Sequence, residues 1–194
     1  MSTRAIGLDD KEGLFSFPNP VNEVSARLVA GGVVLMALAG LVLRQPLVLV
    51  PLAYGFWARV LTGPKLSPLG QFVTRVVTPA LPVEPKPVPG PPKRFAQGVG
   101  AAVTTTALAL AILGASAAAY ALLGVLVVFA TLESVFALCV GCKVFAVLMR
   151  LGVIPPEVCE ACNNISLRPK DRVAPERGPV LQGGRSPLRP RRGR

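Results

Sequence analysis

Apolar residues along this chain fall into long blocks separated by short polar breaks, and block length sets the solvent each one expects. About 20 apolar residues cross a hydrocarbon layer about 30 Å thick. The first block, LVAGGVVLMALAGLVL within about residues 25–43, predicts a membrane-spanning helix. Arg44, Gln45 and Pro46 interrupt it, and LVLVPLAYGFW then predicts a shorter second span with Pro51 inside. A proline there removes a backbone donor, which a membrane helix tolerates when a neighbouring helix or hydroxyl supplies a partner. Tyr54 and Trp57 suit the interfacial layer, where amphipathic rings collect. A third span is expected over about residues 96–114, where Ala107, Ala111 and Ala115 form a smooth strip for close helix approach. A fourth begins near Ala117 and runs through ESVFALCVGC to Cys142.

The expected fold is all-α, a polytopic helical membrane protein whose four transmembrane helices form two hairpins. Its segments are 1–24, an N-terminal stretch; 25–62, the first hairpin; 63–95, an amphipathic and proline-rich connector; 96–143, the second hairpin; 144–167, a cysteine-bearing segment; and 168–194, a disordered basic tail. No residue-level repeat relates the halves. Within the connector, Leu69, Phe72, Val73, Val76 and Val77 are spaced to share one helical face, which fits a helix lying on a membrane surface, with a plain loop as the alternative. Ahead of the first span, Asn19 is placed to cap a helix opened by Pro20, and Glu23 and Arg27 are spaced to pair at i, i+4.

Composition sharpens this picture. With 52% hydrophobic residues and a mean hydropathy of +0.55, the chain is too apolar for an ordinary soluble fold. Four acids in residues 1–25 (Asp9, Asp10, Glu12, Glu23) and the lack of a short apolar stretch before a cleavage site argue that the first block is retained. Lys and Arg near span ends favour the cytoplasm. The stretch from Arg59 to Arg94 holds six basic residues and the region from Lys143 onward holds eleven, whereas the two hairpin turns contribute only Arg44. Both termini are therefore expected in the cytoplasm. The arginine-rich tail suits anionic lipid headgroups. Nucleic acid is not an expected partner, because no aromatic residues are interleaved there for base stacking.

Histidine is absent, which excludes imidazole acid/base chemistry and any metal site needing an imidazole. The four cysteines must carry whatever metal or redox chemistry exists. Cys139-Val-Gly-Cys142 and Cys159-Glu-Ala-Cys162 are separated by 16 residues containing Gly152, Pro155 and Pro156. Two CxxC pairs at that interval match a tetrathiolate zinc site, with an iron–sulfur centre as the second metal. A dithiol/disulfide reading competes, in which a lowered pKa lets Cys139 or Cys159 attack a partner disulfide or carry sulfur for a soluble cytoplasmic protein. Cysteines as small apolar fillers are the bland alternative. Glu133, the one acid inside a span, must face the bundle, accept hydrogen bonds or be protonated. A straight helix would turn it about 120° away from Cys139, at about 100° per residue, and a bond to Thr104, Thr105 or Thr106 is the expected outcome.

The segments FPNPVNEVSAR, GPKLSPLGQFVTRVVTP and PVPGPPKRFAQ, followed by CVGC and CEACN, resemble an uncharacterised bacterial family of small membrane proteins, the domain of unknown function 4395. The likeness covers about residues 15–165. It implies a multi-span protein of a bacterial inner membrane and supplies no catalytic assignments. Function is therefore expected at Cys139, Cys142, Cys159 and Cys162, as metal binding or thiol redox or sulfur-relay chemistry. The alternative is a non-enzymatic scaffold with structural cysteines and a lipid- or partner-binding basic surface.

Overall fold

The computed structural model describes residues 17–159 and Cys162; the tail expected to be disordered, 168–194, lies outside the described residues. The fold is mostly helical. Helices α1 (Glu23–Val42), α2 (Leu49–Thr62), α3 (Pro68–Phe72), α4 (Thr78–Ala80), α5 (Gly90–Ile112), α6 (Ser116–Phe136) and α7 (Val140–Arg150) follow in order. A two-stranded antiparallel ribbon joins β1 (Val21–Asn22) to β2 (Pro87–Val88), with Val21 opposite Val88.

Helices α1, α5 and α6 are long and apolar enough to cross a membrane, with mean hydropathies of 1.9, 1.5 and 2.0. Only 33%, 22% and 22% of their most apolar windows are buried, so each helix leaves much of its surface partly or fully accessible. That outer surface is apolar: Leu35, Val42, Ile112 and Phe136 are each more than two-thirds exposed. Among the described residues three helices, not four, are long and apolar enough to cross by themselves, and the expected shorter second span is the stretch Pro46–Thr62. Its prolines start the helix and do not interrupt it. Pro46 opens a 3-10 turn, and Pro51 is the third residue of α2, where a backbone N–H has no intrahelical acceptor to lose.

The helices do not pack mainly within their hairpins. α1 lies against α6, α2 against α5, and α5 against α6, so the two hairpins interlock. Val33, Ala37, Leu52, Phe56, Ala107 and Leu123 belong to the shared core. Glycine permits the closest approaches: a Cβ on Gly40 would stand 2.2 Å from Val48, and one on Gly100 would stand 2.3 Å from the Phe56 ring. Of the alanine strip, Ala107 is fully packed and Ala111 packs at the core's edge, while Ala115 is exposed in the turn.

Residues 68–80 are continuously helical, through a wider turn at Val73–Val77. The apolar set does not share one face. Val73 is buried, whereas Phe72 and Val76 are more than half exposed. The start of α1 also differs from expectation. Asn22 is its cap, accepting from Val24 N–H, while Asn19 Oδ1 accepts from Gly90 N–H at the head of α5. Glu23 pairs with Lys86 at 2.8 Å. Arg27, released from that role, donates to the Ser134 and Val135 carbonyls at the end of α6.

Candidate functional site

The end of the bundle opposite the two hairpin turns collects its polar groups. α2 and α6 end there and α1 and α5 begin there, which brings Arg59, Lys93, Glu133 and the first cysteine pair together. The cysteines do not end the fourth span. α6 stops at Phe136, and Ala137 takes the left-handed conformation (φ 55°) that terminates helices, its N–H bonding Leu132 O. The chain continues through Leu138, and Cys139 caps a separate helix, α7, with its Sγ accepting from Cys142 N–H at 3.3 Å.

Two packing contacts set that helix. Gly141 lies so close to α5 that an added Cβ would stand 2.6 Å from Ala96 Cβ. Phe145 is buried against Phe95, with ring centroids 5.7 Å apart. As a result Cys139 is only 8% exposed and Cys142 is half-buried.

Beside them, Lys93 Nζ contacts Glu133 Oε1 at 2.6 Å, with both side chains largely out of water. This replaces the expected threonine bond. The Thr104 hydroxyl returns to its own helix at Gly100 O and Ala101 O, and Trp57 Nε1 donates to Thr105. Arg59, 6% exposed, donates from Nε to Gln97 Oε1 at 2.8 Å and from Nη1 to Ser67 Oγ at 3.2 Å, and lies over the Phe56 ring. Because α6 ends before the cysteines, the straight-helix angle between Glu133 and Cys139 does not apply. Both line one cavity, together with Arg59 and Gln97.

This setting separates the two thiols. A hydrogen bond from the Cys142 thiol holds the Cys139 pKa below its ordinary value, helped by the Lys93 charge and the Cys142 backbone N–H and opposed by burial and Glu133. Cys142 is pushed upward, first by the same hydrogen bond and then by burial. A thiol at a helix N-terminus beside a cation is the arrangement that favours a thiolate nucleophile, with its neighbour held as the resolving thiol.

Cys159 and Cys162 form a disulfide, and Cys159 is 4% exposed at the end of a 3-10 turn, Pro156–Cys159, packed against α5. Among the described residues no group of three or more Cys, Asp or Glu side chains is arranged to hold a metal ion. The four sulfurs are thus two separate pairs, one reduced and one oxidised. Sequence reading missed Arg59, Lys93, Gln97 and Ser67 as neighbours of the site. The available signal was Lys93 at the mouth of an apolar block, opposite in charge to Glu133 inside another.

No curated protein and no solved structure matches the chain significantly. The family model described as Domain of unknown function (DUF4395) matches residues 21–150, a stretch that includes the Cys139–Cys142 pair and stops short of Cys159. The chain belongs to that family.

Proposed function

We propose that this is a membrane protein in which Cys139 and Cys142 form a redox-active dithiol at the cytoplasmic end of a four-helix bundle. The basic residues gathered at that end carry the orientation, and the apolar outer surface carries the membrane placement. The observation supporting the chemistry is Cys139 at the N-cap of α7, buried, bonded to Cys142 and next to Lys93. In the simplest cycle the Cys139 thiolate attacks a partner disulfide, forming a mixed disulfide and releasing one thiolate. Cys142 then displaces the second sulfur, so the Cys139–Cys142 disulfide forms as the partner becomes a dithiol. A disulfide facing the reducing cytoplasm is a transient redox species and not a staple. The bond between Cys159 and Cys162 spans three residues in sequence and cannot clip a distant segment to the bundle.

Thiol counting and metal analysis on the purified chain test this. Reversible formation of a Cys139–Cys142 disulfide with a soluble dithiol/disulfide couple, in metal-free protein, is the expected result. One zinc or an iron chromophore per chain, lost on Cys139→Ser, would establish the metal reading. A persulfide on Cys139 would identify a sulfur relay. Cysteines inert to both, with membrane recruitment of a partner unchanged by serine at all four positions, would leave the scaffold.

A further inference from the structure

The cavity lined by Cys139 extends away from the polar end into the apolar part of the bundle, between α1, α5 and α6. The cavity volume is about 80 Å³, within a wider space of about 670 Å³ that includes open volume outside it. Its lining includes the buried Val33, Leu126 and Ala130 and the partly buried Val103. At the mouth Val99, Val125 and Phe129 are 38%, 43% and 42% exposed on the apolar exterior, the surface that faces lipid in the reading above. Counted from about residue 96, where the third span is read to begin, Val99 and Val103 lie about 4 and 10 Å along α5, at about 1.5 Å per residue. The opening is therefore placed just inside the apolar layer on that reading.

Three features of this space select its occupant. Its walls are apolar and its mouth opens to lipid, so the ligand is membrane-soluble. Its polar end presents the Arg59 guanidinium, the Gln97 amide and the Glu133 carboxylate. Glu133 is already neutralised by Lys93, and Arg59 is held by the neutral Gln97 and Ser67, so a ligand carbonyl can accept from the N–H groups of Arg59 or Gln97 that these bonds leave over. Lastly, the same wall carries Cys139, whose pair can give up two electrons and two protons. An apolar cavity of about 150 Å³ takes a benzene ring. The cavity here is about half that, so it receives the leading edge of a ring while the remainder and any tail lie in the mouth.

We infer that this cavity is the site of a lipid-soluble quinone that oxidises the Cys139–Cys142 dithiol. The step rests on the redox reading of that pair. Both S–H bonds break and one S–S bond forms; the two electrons and two protons end on the two ring oxygens, releasing a hydroquinone to the bilayer. Arg59 and Gln97 hold the carbonyl nearer the thiols. With a soluble dithiol partner reducing the Cys139–Cys142 disulfide, the exchange above run in reverse, electrons would enter the pair from the partner and leave it to the quinone.

The test uses the reduced full-length chain in detergent with a fully ring-substituted, short-tailed benzoquinone, which cannot form thiol adducts at open ring carbons. Loss of quinone absorbance is followed alongside mass spectrometry of differentially alkylated peptides. The expected result is one quinone consumed per Cys139–Cys142 disulfide formed. Val103→Trp, which fills the cavity, should lower the ratio of the quinone rate to the rate with a small soluble disulfide at least tenfold. Ala130→Leu fills the same space from α6 and should move the ratio in the same direction, should the tryptophan variant not fold. A ratio unchanged in the folded variant, or no quinone consumption while the soluble disulfide still reacts, overturns the quinone site and leaves the redox reading intact. Failure of both oxidants to form that disulfide removes the redox reading itself.

Discussion

Cys139 is subject to opposing influences. The Cys142 hydrogen bond and the Lys93 charge favour its thiolate, while burial and Glu133 favour the thiol, and the net direction is downward. The sign for reactivity follows directly: the thiolate fraction grows as pH rises through the folded pKa, so alkylation by iodoacetamide should reach half-maximum below the ordinary thiol value of 9.0 at Cys139 and above it at Cys142. For stability, a lowered folded pKa contributes above the unfolded value and is lost as pH falls through the folded one. Replacing Lys93 by Met should shift the Cys139 profile upward, and Glu133→Gln should shift it downward. Mass-resolved alkylation across a pH series separates these opposite movements from a general loss of structure. Each single variant also leaves a buried charge without its partner, which costs about 3–5 kcal/mol. The double variant Lys93→Met, Glu133→Leu should recover most of that loss in a thermal unfolding series. Glu133 stands out in the sequence as an acid in an apolar run. Its partner does not, because a lysine at a span boundary reads first as a topology signal, and only the packing of α5 on α6 turns it inward.

At the scale of elements, the ends of helices are satisfied from elsewhere in the chain. Asn19 accepts from the head of α5, Arg27 donates to the foot of α6, and Glu23 reaches Lys86 beside the short β1–β2 ribbon. Local sequence rules pair each of these residues with a neighbour a turn away. Tertiary contacts win because a proline-rich connector brings residues 86–90 back to the start of α1. Asn19→Ala should cost about 1 kcal/mol, the usual value of a lost helix cap, and loosen amide exchange protection at the start of α5 and not of α1. Hydrogen exchange across both helices decides between them. Gly141 is the tighter constraint. A methyl group there meets Ala96 at Cβ and Cα, at 2.6 and 2.7 Å, so either α7 or α5 must move. Gly141→Ala should destabilise by about 1–3 kcal/mol through overpacking and raise the accessibility of Cys142 to alkylation as α7 lifts. The break between α6 and α7 was not legible, since apart from Thr131, Glu133 and Ser134 residues 117–142 are apolar and Ala137 is not a residue that marks a helix end.

For the whole molecule, periodicity and block length were sufficient to find α1, α5 and α6, because a long apolar run has few alternatives to a helix that either spans lipid or fills a core. They also found α2 as a shorter helix; what they did not give is that Pro51 falls in its first turn, where it interrupts nothing. Nor could spacing alone assign the cysteines: the 16-residue interval fits a tetrathiolate, yet α7 and the turn after it hold one pair reduced and the other as a disulfide. Charge and packing now bear on the same end of the bundle. Arg59, Lys93 and the connector lie at the end where α2 and α6 finish, and Arg44 lies in one of the turns at the other. If the membrane reading holds, the chain should resist alkaline carbonate extraction from membranes. A cysteine placed at Gly114 should then react with an impermeant maleimide added outside intact cells, while Lys143→Cys should react only after lysis. The native thiols should be replaced by serine for this measurement. Labelling of both positions from outside, or of neither before or after lysis, would detach the dithiol from the cytoplasmic face. The lipid-facing mouth between α5 and α6 would have to be reconsidered with it, because its depth is measured from that same end.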